Sequence, residues 1–231
     1  MTTVLNGSLT SRVAIVTGGS RGVGGATVRR LAARGYAVVV NYLHDQRAAE
    51  LTVEAILAGQ RDAMAVRADV ADDLDVQRLF AETIAAFGGV DVVVHTAGRH
   101  LTTPPVTEVG PDEFDALARL NTRATLVVNR EAVRHLRNGG AIVNLSSSAE
   151  NSSLRTHGLC AAANAITNVL TQALALELRE RDITVNAVSP AAHRPCLPDR
   201  VTDVIAYLLS DHGHHLTGQI LRVGPPAVPP Y

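Results

Sequence analysis

Eight residues near the amino terminus, Thr17-Gly18-Gly19-Ser20-Arg21-Gly22-Val23-Gly24, have the composition and spacing to hold a phosphate group. Glycine lets the backbone turn sharply and come close to a pyrophosphate, and the N–H groups of a helix that starts at such a turn attract negative charge. Gly18, Ser20, Arg21, Gly22, Val23 and Gly24 are therefore the first candidate cofactor-binding residues. The required context is strand, turn, helix. The apolar run 13–16 reads as a buried strand, and Val28, Leu31 and Ala32 repeat at helical spacing within residues 25–35.

The same logic continues along the chain. A second apolar run, 37–40, ends in Asn41 and Tyr42, where a doubly wound fold contacts the adenosine ribose. An acidic residue there would bind the ribose hydroxyls of NAD and repel a 2′-phosphate. Asn41 is neutral, and Arg21, His44 and Arg47 offer positive charge, so the pattern favours NADP(H) over NAD(H). Helices are predicted over 47–58, from Asp72 or Asp73 to 87, from 111 or 112 to about 136, over 161–179 and over 199–209. Strands are predicted over 63–66, 90–94, 140–145, 183–188 and 220–223. Asp72 and Asp73 suit a helix N-terminus and read as caps, not ligands.

Composition narrows the function classes. A chain of 231 residues, 46% hydrophobic, can bury one substantial core, so a single domain is expected, with a loose lead-in over 1–10 and a Pro-rich tail over 224–231. The 22 acidic residues nearly balance 21 basic ones without a basic block. That argues against nucleic acid or a membrane surface and for a small-molecule ligand. Two Cys, no signal-peptide pattern and no apolar run long enough to span a bilayer lead to an expectation of a cytoplasmic protein. The Ala, Arg and Val bias suggests a bacterial source. Every basic residue is Arg; the sequence contains no Lys.

From Ser11 to Val223 the sequence resembles the short-chain dehydrogenase/reductase family, on the glycine turn (Thr-Gly-x-x-x-Gly-x-Gly) and on Ala97-Gly98, the last two residues of the family's Asn-Asn-Ala-Gly. The resemblance implies an α/β, Rossmann-like doubly wound parallel sheet of about seven strands with helices on both faces, and a nicotinamide cofactor. It also implies a homodimer or homotetramer, joined through helices 112–136 and 161–179 by residues such as Ala161, Ala162, Ala165, Leu170 and Ala173. By the same resemblance Asp69, beside Val70, holds the adenine amino group, and Ala97 and Gly98 allow close approach to the cofactor. Asn121 holds a water in a proton relay, Ser147 hydrogen-bonds the substrate carbonyl, and Pro190 joins the cofactor site.

The resemblance fails where the chemistry is sharpest. The family's Tyr-x-x-x-Lys, an i, i+4 pair on one helix face, is here Cys160-Ala161-Ala162-Ala163-Asn164. A positioned proton donor contributes about 10²–10⁴ in rate. Cys160 has a titratable but short side chain, and Asn164 can bond a ribose hydroxyl but carries no charge. His157, three residues before Cys160, is a candidate acid or a group that polarises the thiol, and His95 a candidate base. Of the four Tyr, only Tyr231 of a neighbouring subunit offers a substitute. After the sixth strand the family's helical lid is reduced to residues 191–198. Cys160, Cys196, His157 and His193 would suit Zn²⁺ only if they converged, and no metal is expected. His212-Gly213-His214-His215 reads as a surface turn, and a disulfide is disfavoured by the inferred compartment. Three functions follow: a non-standard reductase or non-redox biosynthetic enzyme (imine-type reduction, cyclisation, dehydration or isomerisation), an inactive partner subunit of an intact homologue, or an ordinary carbonyl reductase with Cys160 as acid.

Overall fold

The structure, a computed structural model, describes residues 11–98, 105–147, 154–190 and 198–224. Seven strands, β1 (Val13–Thr17), β2 (Ala37–Tyr42), β3 (Ala63–Arg67), β4 (Val90–His95), β5 (Leu136–Leu145), β6 (Thr184–Pro190) and β7 (Ile220–Val223), form one sheet. Its order is β3-β2-β1-β4-β5-β6-β7, and every pairing is parallel. The Val-rich runs are apolar throughout because a parallel sheet is covered on both faces. On one face α1 (Gly22–Ala33), α2 (Gln46–Ala58) and α7 (Pro198–Leu208) share a core with Val16, Val38 and Val94. On the other, α3 (Asp73–Phe87), α5 (Ala124–His135) and α6 (Leu154–Glu177) pack on Ile15, Val39 and Ile142. Strand order reverses between β1 and β4, and the crevice at their carboxyl ends is where such sheets bind ligands.

Two expectations change. The long helix over 111–136 is broken into α4 (Pro111–Leu117), a π-helical turn (Ala118–Arg123) and α5, and Asn121 sits in the π-helical turn. Charge holds that turn in place. Arg119 meets Asp69 at 2.7 Å, Arg123 meets Asp73 at 2.7 Å and the Ala71 carbonyl at 2.8 Å, and Arg130 also reaches Asp73. Asp72 caps α3 by accepting from Leu74 and Asp75, whereas Asp73 anchors Arg123 and Arg130. The second change is β5, which begins at Leu136, not 140. Val90 pairs with Leu136 and the register then shifts before Val92 meets Ala141, with Gly139 taking the left-handed bend at φ +75. The lead-in 1–10 and the tail from 225 onward, with Tyr231, lie outside the described residues.

A buried polar seam ties β5 to the helices below it. Asn129 and Asn144 exchange two amide bonds, at 2.9 and 3.2 Å, and Asn144 also donates to Thr171 at 3.1 Å. Both amides are almost wholly buried, so each bond lost leaves a desolvated polar group behind. Asn144→Leu should therefore cost about 2–4 kcal/mol, read as a lower urea midpoint with unchanged slope; an unaltered midpoint would show the seam to be dispensable.

Candidate functional site

The glycine turn joins β1 to α1. Gly18 and Gly22 have φ of +63 and +57. A Cβ on Gly24 would lie 2.2 Å from the Gly18 carbonyl oxygen and 2.6 Å from Thr96 Oγ1, so only glycine permits this close packing of the turn on the end of β4. Arg21 occupies the N-cap of α1 without a side-chain cap, and the first turn holds no acidic residue. Gly25 N–H donates to the carbonyl of Arg21, the N-cap, at 3.0 Å. The N–H groups of the preceding residues thus suit an anion, and Ser20, Arg21, Gly22 and Val23 are at least partly exposed around them. Arg21 extends toward the end of β2, 3.6 Å from Asp45, the N-cap of α2. The turn fits a dinucleotide phosphate.

The adenosine end departs from the expected assignments. Asn41 is buried and braces the turn: its Oδ1 accepts from Gly18 N–H at 3.3 Å, and its Nδ2 donates to the Val66 and Ala68 carbonyls. In this way it positions the glycine turn. Tyr42, next along, packs partly buried against the core. Arg47 lies against Glu50 and Glu54 of its own helix. Asp69 is mostly buried and already bonded to Arg119 and to Ala71 N–H. Burial opposes its ionisation, but these two partners outweigh it and hold its carboxyl below the usual range. Val70 is a core residue.

A crevice of about 50 Å³ opens beneath Ala97 and Gly98 and brings together Asn121, Ser146, Asn164 and Thr167. Asn121 Oδ1 faces Gly98, 3.4 Å from where a Cβ would stand. Ser147 follows Ser146 at the end of β5 and is 8% exposed. Pro190, buried, ends β6 opposite Val223. Sequence reasoning missed Ser146, Thr125 and Thr167. For the two threonines the signal was polar residues at helical spacing, 121–125 on one side and 160–164–167–171 on the other; Ser146 directly follows the predicted strand 140–145.

Cys160 does not join the crevice. It is 2% exposed, packed with Leu117, Leu159 and Ala163. Asn164 donates to its carbonyl at 2.8 Å and to its Sγ at 3.4 Å. The pair expected to face the cofactor instead bonds within itself, which argues against Cys160 as the proton donor. His157 belongs to α6, but its side chain lies outside the described residues, as do Ser148, His193 and Cys196. Among the described residues no three His, Cys, Asp or Glu side chains form a metal-sized group.

His95 is corrected as well. It is fully buried, and burial pushes its pKa down to about 4. Thr17 Oγ1 accepts from the N–H groups of Thr96 and Ala97, at 3.1 and 3.2 Å, so its own proton points at His95 Nδ1, 2.9 Å away. The ring is then neutral with its proton on Nε2, and it joins strands instead of abstracting protons.

Comparison with known proteins places these features. Residues 12–199 match the family model described as short chain dehydrogenase. Versicolorin reductase 1 of Aspergillus parasiticus is 40% identical over 254 aligned positions, covering 94% of this chain and 97% of that protein. A dehydrogenase/reductase from Sinorhizobium meliloti 1021 superposes with a TM-score of 0.87 at 33% identity, covering 94% of each chain. A short chain dehydrogenase from Burkholderia cenocepacia J2315, in complex with NADP, gives 0.84 at 32% identity, covering 94% of this chain and 98% of that one.

The depressed His95 pKa sets a pH dependence. Between pH 6.5 and about 4 the unfolded histidine binds a proton that the folded one refuses, so stability falls as pH drops through this window, by up to about 3 kcal/mol at its lower end. Denaturant unfolding across this range should show the loss, and His95→Asn should flatten it. An identical slope in the variant would contradict the assignment.

Proposed function

The chain belongs to the short chain dehydrogenase family, and on that premise we propose that it binds NADP(H) and reduces a substrate that needs no proton from the protein, of the iminium type. When bound, the cofactor supplies hydride. The chain's part is to hold and orient. The N–H groups of residues 22–24 and the glycine turn take the pyrophosphate, Arg21 takes the 2′-phosphate, and Ala97-Gly98 leave room for the nicotinamide end. That one neighbour carries NADP and that another relative is a reductase support the cofactor and the reductive direction.

One observation carries the finer reading. No ionisable side chain lines the crevice among the described residues, and the thiol of Cys160 faces an apolar cluster instead. Reduction of a carbonyl generates an alkoxide that must be protonated, and a site without a donor forgoes about 10²–10⁴ in rate. Reduction of a protonated imine leaves a neutral amine and needs no such donor. Cyclisation, dehydration and isomerisation remain the outcomes if no NADPH is consumed.

A second reading, a subunit that pairs with another chain, rests on α6. Its inner face packs on β6, while Ile166, Val169 and Leu176, on one helical face, are exposed, as is Leu126 of α5. Contrary to the expectation of no membrane-length apolar run, residues 158–177 are apolar and long enough to cross a membrane by composition alone, though this is the helix whose inner face packs on β6. A second copy of the chain, or an intact homologue, is the occupant proposed for that face.

The test is NADPH consumption with cyclic iminium and ketone substrates. Iminium turnover should exceed ketone turnover by at least tenfold, and Cys160→Ala should stay within about twofold of the parent. A tenfold fall in that variant would restore the thiol as the acid and overturn the reading.

A further inference from the structure

Arg21, the cation that the cofactor reading gives to a 2′-phosphate, already faces a carboxylate of its own chain. Its guanidinium lies 3.6 Å from Oδ2 of Asp45, three residues beyond the end of β2. The two oxygens of Asp45 have separate roles. Oδ1 accepts from Ala48 N–H at 3.1 Å and caps α2. Oδ2 is turned toward Arg21, just too far for a hydrogen bond. The first turn of α2 contains no acidic residue, so Asp45 is also the negative charge that meets the positive end of that helix. Arg47, the other arginine of this region, has Glu50 and Glu54 at 4.0 and 3.5 Å. The side chains of Arg21 and Asp45 are 73% and 37% exposed, so their contact is weak and open to exchange with a ligand.

We infer that Asp45 is a specificity-determining residue: its carboxylate holds the Arg21 guanidinium and the N-terminus of α2, the two positive features that a 2′-phosphate would use, and so narrows the preference for NADP(H) over NAD(H). The inference rests on the cofactor reading above and deepens it. A phosphate monoester carries a charge of about −1.5 to −2 at pH 7. To reach Arg21 it must displace the carboxylate or share the guanidinium with it. Either way a negative charge stays close by, because the bond from Ala48 tethers Asp45. NAD(H) meets no such opposition, since its 2′-hydroxyl can donate and Oδ2 can accept. The charges face each other at the surface, where water and salt limit the effect to about three- to tenfold in affinity.

Calorimetric titration of the full chain and two variants with NADPH and NADH tests it. Asp45→Asn and Asp45→Ser remove the charge but keep the cap, because Asn, Ser and Asp are about equally good N-caps. At low ionic strength both variants should bind NADPH about three- to tenfold more tightly than the parent and NADH no more tightly. In about 1 M potassium chloride, where charges are screened over about 3 Å, the gain should fall below twofold. An NADPH-to-NADH affinity ratio that is unchanged or lowered in both variants, or a gain that salt does not reduce, would overturn the inference and leave the cofactor reading standing. Binding of neither nucleotide by the parent and the variants would overturn the two together.

Discussion

Thr17 ends β1 with its hydroxyl oxygen accepting from two consecutive N–H groups of the β4 turn, Thr96 and Ala97, while its proton goes to His95. Thr96 Oγ1 returns a bond of 2.6 Å to the Thr17 carbonyl. These contacts weld the carboxyl ends of the two strands at which the sheet reverses its order. The glycine turn is built on the weld: a Cβ on Gly24 would overlap Thr96 and the Gly18 carbonyl, and Gly18, at φ +63, would carry a Cβ only 3.2 Å from Ala97. Asn41 anchors the same turn from β2. The direction in which α1 presents its N-terminus is therefore set by a buried hydroxyl, a buried amide and two absent methyl groups.

The other half of the site is organised by a different force. Arginines of the π-helical turn and α5 grip Asp69 and Asp73 at the surface, and the amide and hydroxyl seam from Asn121 to Thr171 and Asn144 holds the interior. Asn164 belongs to that seam in type: a neutral side chain that satisfies its own helix. The described wall of the crevice is neutral, and on the proposed reading it orients the ligand without supplying the proton. Binding and chemistry are thus separable here, which is why the family premise alone does not decide the reaction.

Much of the fold was legible because its signals are local. Valine-rich runs bounded by turns marked β1, β2 and β4, and the glycine turn named its own backbone geometry. The π-helical turn was not legible, since Ala118–Arg123 has the polar and apolar spacing of an ordinary helix and owes its extra residue to Asp69 and Asp73, distant in sequence. The early start of β5 was hidden because Arg137, Asn138 and Gly139 read as loop until Val90 is seen to pair with Leu136. Asn41 and Asp69 were placed at the right end of the sheet, but their protein partners, the Gly18 N–H and Arg119, are distant in sequence and could not be read from spacing. Cys160 failed for a related reason: which way a thiol turns depends on Leu117 and Ala163, not on spacing.

The most direct test of the account is calorimetric titration of the protein with NADPH and NADH, repeated on Arg21→Ala. NADPH should bind more tightly than NADH, and the variant should lose about tenfold for NADPH while NADH is unchanged, as expected for one charge-assisted contact to a phosphate. Failure of the parent to bind either nucleotide would contradict the central claim, leaving the glycine turn as architecture alone.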